Sequence, residues 1–284
     1  MLGLHEAWDE TADAHPGLAI IGGDGSRERR AGPKLYDPLR KNRRMTTTSV
    51  AARTADSAPA LHYYVVYDGA GVPEGLLAEE FLLAKDYSSA GLVSGGWSRS
   101  EGRWCDASVT SRRLRVDAVL RKRVMPVGRA AAAALYRDLC GAELPEEAVL
   151  RARFGAPPAR PSSPLRLDQS APRPGFRETR VYRILFAGEL SPDGLAALSE
   201  AWQMPVTGDL TDPEVRVLGA VHRQVAGDAF RWDLRRVAAG AAWGLDVTCD
   251  LLGDRDEVVG VLLRGLTTQM RQQGMIPVTV DRFR

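Results

Sequence analysis

Apolar positions in the last third of the chain recur with two periods. Phe230, Trp232 and Leu234 alternate with Arg231, Asp233 and Arg235. Trp243, Leu245, Val247, Cys249 and Leu251 alternate with Gly244, Asp246, Thr248 and Asp250. A strict period of two predicts antiparallel strands with one wet face. The period then lengthens. Val259, Leu262, Leu263, Leu266 and Met270 form the stripe of an amphipathic helix, with Asp254 and Glu257 spaced as a capping box and Gly274 just beyond its end. Upstream, Thr179 to Phe186 reads as a strand, and Ser191-Pro192-Asp193 as a helix start with an N-cap serine and a first-turn proline. Glu214 to Val225 reads as a strand, Ala226-Gly227-Asp228 and Ala239-Gly240 as turns, and Ile276 to Val280 as a closing strand. The predicted order is β-α-β-β-β-α-β, a mostly antiparallel sheet with helices on one face, which is α+β.

The middle of the chain is less regular. His62-Tyr-Tyr-Val-Val-Tyr67 is β-branched and aromatic and stops at the turn pair Asp68-Gly69. Pro73-Glu74-Gly75, with Leu76, Leu77, Phe81 and Leu82 after it, predicts a helical or turn segment. Gly95-Gly96 with Trp97 and Trp104 suggests a hairpin of short strands. Val127 to Leu139 predicts an alanine-rich helix ended by Gly141, and Leu144-Pro145-Glu146-Glu147 the start of a second short one. The strand ending Val66-Tyr67 is followed by Pro73-Glu-Gly-Leu, and the strand ending Leu185-Phe186 by Pro192-Asp-Gly-Leu. This echo fits either a duplicated unit or convergent turn chemistry.

Two stretches lack apolar periodicity. One, from about Gly25 to Ala60, holds Arg27, Arg29, Arg30, Arg40, Lys41, Arg43 and Arg44 and then Met45-Thr-Thr-Thr. The other, Gly155 to Gly175, is rich in proline and predicts a semi-rigid linker. The expected organisation is a head over 1–59, partly disordered, an α+β module over 60–154, a linker over 155–175 and a second α+β module over 176–284.

Composition narrows the function classes. The 284 residues are 44% hydrophobic and 26% charged, enough apolar material for real cores. The net charge of +2 gives the whole molecule no strong pull on nucleic acid or membrane. Basic residues are almost all arginine, with lysine only at Lys34, Lys41, Lys85 and Lys122. Cys105, Cys140 and Cys249 are odd in number and form no C-x-x-C pair, so reduced thiols are expected. No apolar run reaches the roughly 18–20 residues of a membrane span, and Met-Leu-Gly-Leu-His-Glu lacks the pattern of an export signal. A cytoplasmic location and no membrane partner are the expectations.

Candidate chemistry is sparse. His5, His15, His62 and His222 show no ligand spacing, and His222 falls in a predicted strand as a core or edge residue. Ile21-Gly-Gly-Asp-Gly-Ser-Arg27 lacks the Gly-Lys-Ser/Thr end of a phosphate loop. There is no G-x-S-x-G elbow, and neither Cys105 nor Cys140 has an evident histidine partner. No catalytic residue, metal site or cofactor is predicted. Two charged surfaces stand out instead. One is the polar strand face with Arg231, Asp233, Arg235, Asp246 and Asp250. The other is the basic run Arg112, Arg113, Arg115, Arg121 and Arg123, interrupted by Asp117.

The segment Leu4-His5-Glu6-Ala7-Trp8, then Ala14-His15-Pro16-Gly17-Leu18-Ala19-Ile20-Ile21-Gly22-Gly23-Asp24-Gly25-Ser26-Arg27-Glu28, resembles the SUKH superfamily, in which an apolar strand runs into a Gly-Gly/Ser-Asp-Gly-x-x-Glu turn. The resemblance covers residues 2–28. After Glu28 the chain reads RRAGPKLYDPLRKNRR where the family continues with apolar strands, so this looks like a fragment of such a domain, and Met45 is an alternative translation start. What the resemblance implies is bacterial toxin immunity: neutralisation of a polymorphic toxin by protein contact, without catalysis. The two modules themselves resemble no family.

The expected function is therefore non-catalytic protein binding, with toxin immunity as its specific form and mixed-sign charge suited to steered association. A nucleic-acid-associated regulator using the arginine-rich segments is the alternative, and it predicts steep salt dependence. An enzyme whose site is assembled from scattered residues is a third reading.

Overall fold

Strand β1 (His62–Tyr67) buries side chains on both faces, and this organises the first half of the molecule. The computed structural model describes residues 60–155, 171–237, 242–254 and 256–284. These lie within a compact unit, Asp56–Arg284, distinct from Met1–Ala55. The head, the proline-rich stretch 156–170 and the Ala239-Gly240 turn fall outside the described residues.

β1 pairs antiparallel with β2 (Pro73–Leu83) and with β5 (Val124–Val127). β2 pairs with β3 (Ser89–Ser98), and β3 with β4 (Trp104–Asp106), giving the order β4-β3-β2-β1-β5. The tryptophan hairpin is present, with Trp97 opposite Trp104. The segment after Pro73 is not a helix or turn: it is an eleven-residue strand. Its leucine spacing suits a helix, but both faces of the strand are buried, which erases the alternation that marks a half-wet strand.

On one face Leu61, Tyr63, Val65, Leu76, Ala78 and Trp97 pack against α3 (Arg129–Cys140) and α4 (Glu147–Arg151). Gly141 ends α3 in the left-handed region at φ 72°, as its sequence position predicts. On the other face Tyr64 and Leu77 meet Leu114 of α1 (Ser108–Val116) and Ile276. The short α2 (Ala118–Arg121) follows, capped by Asp117, whose carboxylate accepts from the Val119 and Leu120 N–H groups. Asp117 thus starts a helix inside the basic run.

The second half follows its predicted order element for element: β6 (Glu178–Ala187), α5 (Pro192–Trp202), β7 (Val217–Val225), β8 (Asp228–Val237), β9 (Ala242–Leu251), α6 (Glu257–Gln272) and β10 (Ile276–Arg282). The sheet order is β10-β6-β9-β8-β7, and every pairing is antiparallel. The Ser191 hydroxyl accepts from Gly194 N–H and caps α5. Asp254 with Glu257 does not form the expected capping box. The N-cap is Asp256, without a side-chain cap bond, because Asp254 pairs with Arg177 and Asp256 with Arg180. β7 begins three residues later than Glu214, since the Asp212 carboxylate accepts from Glu214 N–H at 2.9 Å and holds a turn there. Pro73 opens a strand and Pro192 opens a helix, so the sequence echo is shared turn chemistry on unlike elements.

The two sheets meet within this unit. Arg271 of α6 donates to the Tyr63 carbonyl at 3.2 Å and lies 5.0 Å over the Tyr64 ring. The Tyr182 hydroxyl donates to the Asp86 carbonyl at 2.8 Å, and Val280 N–H to the Ser89 hydroxyl at 2.7 Å. The fold is α+β, with one antiparallel sheet covered on both faces and a second covered by α5 and α6 on one face.

Candidate functional site: the open face of the second sheet

The alternation read in β8 and β9 sorts side chains cleanly. Phe230, Trp232, Leu234, Leu245, Val247 and Cys249 enter the core beneath α5 and α6. Their neighbours on β8 and β9 point to the opposite face; α1 reaches the sheet at its β10 edge, where Leu114 meets Ile276. Strand register sets rows across that face. One row reads Asp233, Asp246, Arg183, Asp281, each directly opposite the next. The next reads His222, Arg231, Thr248, Val181.

Asp233 and Asp246 face each other as like charges, an arrangement that is destabilising unless cations intervene. Here they do. Arg183 grips Asp246 with two bonds of 2.6 and 2.8 Å, and Arg235 adds a third at 2.8 Å. Arg231 holds Asp233 at 3.0 Å. Burial alone would raise the Asp246 pKa, but the bonds from Arg183 and Arg235 outweigh it and hold the carboxyl below its ordinary range. The same bond to Asp246 raises Arg183. Arg183 also stacks over the Phe283 ring at 5.6 Å. The face is therefore a pre-ordered lattice of alternating charge, with the Arg231 side chain its most exposed member at 54%.

Asp250 is the exception among the predicted face residues. It is buried, accepting from the Thr179 hydroxyl at 2.6 Å with Arg173 at 3.4 Å, and it ties the 171–179 segment to β9. Arg183 and Asp281 were not legible as face members, because their strands carry no charge alternation; only register brings them in.

The basic run is dispersed. Arg112 and Arg113 are exposed on α1, with Arg113 held to Asp117 at 2.9 Å. Arg115 turns inward onto Glu79 with two bonds of 3.0 and 2.9 Å. Arg121 donates to the Arg115 carbonyl at 3.2 Å, and Arg123 to the Tyr67 carbonyl and to Glu74, both at 2.9 Å. Four of the five arginines thus bond groups of the chain's own fold.

Titratable groups converge inside the first half of the fold around Glu79. His62 and Ser94 lie directly opposite it on the flanking strands, and Ser111 and Arg115 approach from α1. Glu79 is fully buried, and Arg115 takes both its oxygens while Ser111 shares one. The carboxylate is thus committed to fastening α1 to the sheet. Burial, then the Arg271 and Arg115 charges, push the His62 pKa well below its ordinary value, so the ring is neutral at neutral pH. The Cys249 thiol is raised to about 12 by burial, the signature of an inert core cysteine.

No family model, curated protein or solved structure matches this chain. Among the described residues no group of three or more His, Cys, Asp or Glu side chains is placed to hold a metal ion. Among those residues no helix is long and apolar enough to cross a membrane.

Proposed function

We propose that this chain is a non-catalytic protein-binding module that engages its partner through the open face of the second sheet. The observation that carries the reading is the Arg183–Asp246–Arg235 lattice, with Arg231–Asp233 beside it. Charges fixed in advance by one another lose little entropy on docking. Alternating sign selects a partner of matching pattern and rejects others through like-charge contact. The SUKH-like stretch 2–28 adds a specific form: immunity, with a bacterial toxin domain as partner and the cytoplasm as the place of action.

The test is a pull-down of the tagged full chain from its native lysate, with and without nuclease, repeated with Arg231→Glu/Arg235→Glu and with Arg112→Glu/Arg113→Glu. The expected result is one near-stoichiometric protein that survives nuclease and is lost with the sheet-face pair alone. Recovery that vanishes with nuclease moves the function to nucleic acid, with Arg112 and Arg113 the exposed members of the basic run, whereas a nuclease-resistant partner lost with the α1 pair alone moves the docking surface to α1.

A further inference from the structure

Sheets end in edge strands, and natural edges are guarded by shortness, proline, bulges or covering segments. Three of the four edges here are guarded. β4 has three residues. β5 has four and contains Pro126. β10 carries Pro277 and a bulge before Thr279, and its Val280 N–H donates to Ser89. β7 differs along its length. Its first part is covered, because the Thr207 and Gly208 N–H groups donate to the Leu218 carbonyl at 2.9 and 3.2 Å. Its second part, Val221 to Val225, runs in unbroken register with β8 and contains no proline and no lysine.

The direction of the backbone groups follows from the turn. Ala226 and Gly227 both have positive φ, 52° and 94°, which is the type I′ geometry of a two-residue hairpin. That turn requires Val225 and Asp228 to be a hydrogen-bonded pair, so Val225, Arg223 and Val221 direct their N–H and C=O groups to β8. His222 and Gln224 direct theirs outward. The outward Leu218 carbonyl fits the same alternation. Among the described residues no backbone group meets those of His222 and Gln224.

The edge has cations but no anion of its own. β7 has no acidic residue, and its exposed Arg223 donates to the Trp202 carbonyl at 2.9 Å; Arg231, opposite His222 on β8, is paired with Asp233 and is 54% exposed. A second copy is the competing occupant. A two-fold antiparallel pairing centred on Arg223 sets that residue against itself, and like charges directly opposite are unfavourable; one centred on Gln224 sets Arg223 against Val225 and escapes that penalty. We propose that the Val221–Val225 edge of β7 captures an extended acidic segment of the partner protein by strand addition, beside the charged face. This rests on the protein-binding reading and names the chemistry of the partner.

The test uses the full chain and two fluorescent heptapeptides, Thr-Glu-Val-Glu-Val-Glu-Thr and its lysine counterpart, titrated by anisotropy. The glutamate peptide is expected to bind, more weakly as salt rises, and at least about tenfold more tightly than the lysine peptide. His222→Pro/Gln224→Pro removes only outward N–H groups, so it should leave the circular dichroism unchanged and weaken the glutamate peptide about tenfold or more. Gln224→Glu/His222→Glu keeps the backbone and should reverse the preference between peptides. Absence of glutamate-peptide binding, equal binding of both peptides, or wild-type affinity in both variants would overturn the proposal. So would a concentration-dependent dimer abolished by the prolines, which assigns the edge to a second copy. A native partner that still binds the proline variants but not Arg231→Glu/Arg235→Glu would remove strand addition and leave the protein-binding reading standing.

Discussion

Glu79 and Glu80 are consecutive residues of one strand, so they enter opposite faces of a sheet that is buried on both sides. Each meets an arginine: Arg115 for Glu79 and Arg151, at 3.0 Å, for Glu80. A buried pair adds little over an apolar replacement, whereas a broken one leaves a charge stranded. Arg115→Ala should therefore cost about 3–5 kcal/mol in urea unfolding, and Glu79→Leu/Arg115→Leu much less. Equal losses would contradict this account. His62 supplies a pH dependence. Its folded pKa lies below its unfolded value, so the unfolded state binds the extra proton as pH falls below about 6.5. Stability is then complete above that pH and declines beneath it, by at most about 1.4 kcal/mol per pH unit for one proton. His62→Leu should flatten the curve between pH 7 and 5. A slope unchanged in the variant would mean that other groups set it.

At the scale of elements, α6 holds two glycines in different surroundings. A Cβ on Gly260 would lie 2.5 Å from the Tyr87 ring, whereas nothing stands within 4 Å of one on Gly265. Gly265→Ala should stabilise by about 1 kcal/mol through helix propensity. Gly260→Ala should destabilise, because α6 and the β2–β3 loop must separate. Thermal melts of both variants check the pair, and a gain at both positions would place α6 away from Tyr87. The second sheet was readable because one wet face imprints a period of two on β8 and β9. β2 was not, because burial on both faces leaves a strand without alternation. The α6 cap was misread for a third reason: Arg177 and Arg180, far away in sequence, claim the carboxylates that local spacing assigns to the helix start.

At the scale of the molecule, the two sheets share an interface built from Tyr64, Leu77, Leu114 and Ile276, with Arg271 reaching across it. Trp97 and Trp104 report on one sheet, and Trp202, Trp232 and Trp243 on the other. Their unfolding transitions should coincide in the wild type and separate in Arg271→Ala. Separate transitions in the wild type would mean that the halves fold independently. The functional face was half legible. Arg231, Asp233, Arg235 and Asp246 are visible as an alternating polar set, while Arg183 and Asp281 join them only through register. The inward turns of Arg115 and Asp250 depend on Glu79 and Thr179, partners remote in sequence.

The central claim, that the open face of the second sheet is where a protein partner docks, is tested most directly by hydrogen exchange on the purified complex. Protection is predicted in 217–237 and 242–251, with the His222 and Gln224 amides among the most slowed. Protection confined to 108–123, with β7, β8 and β9 exchanging as in the free chain, would contradict it.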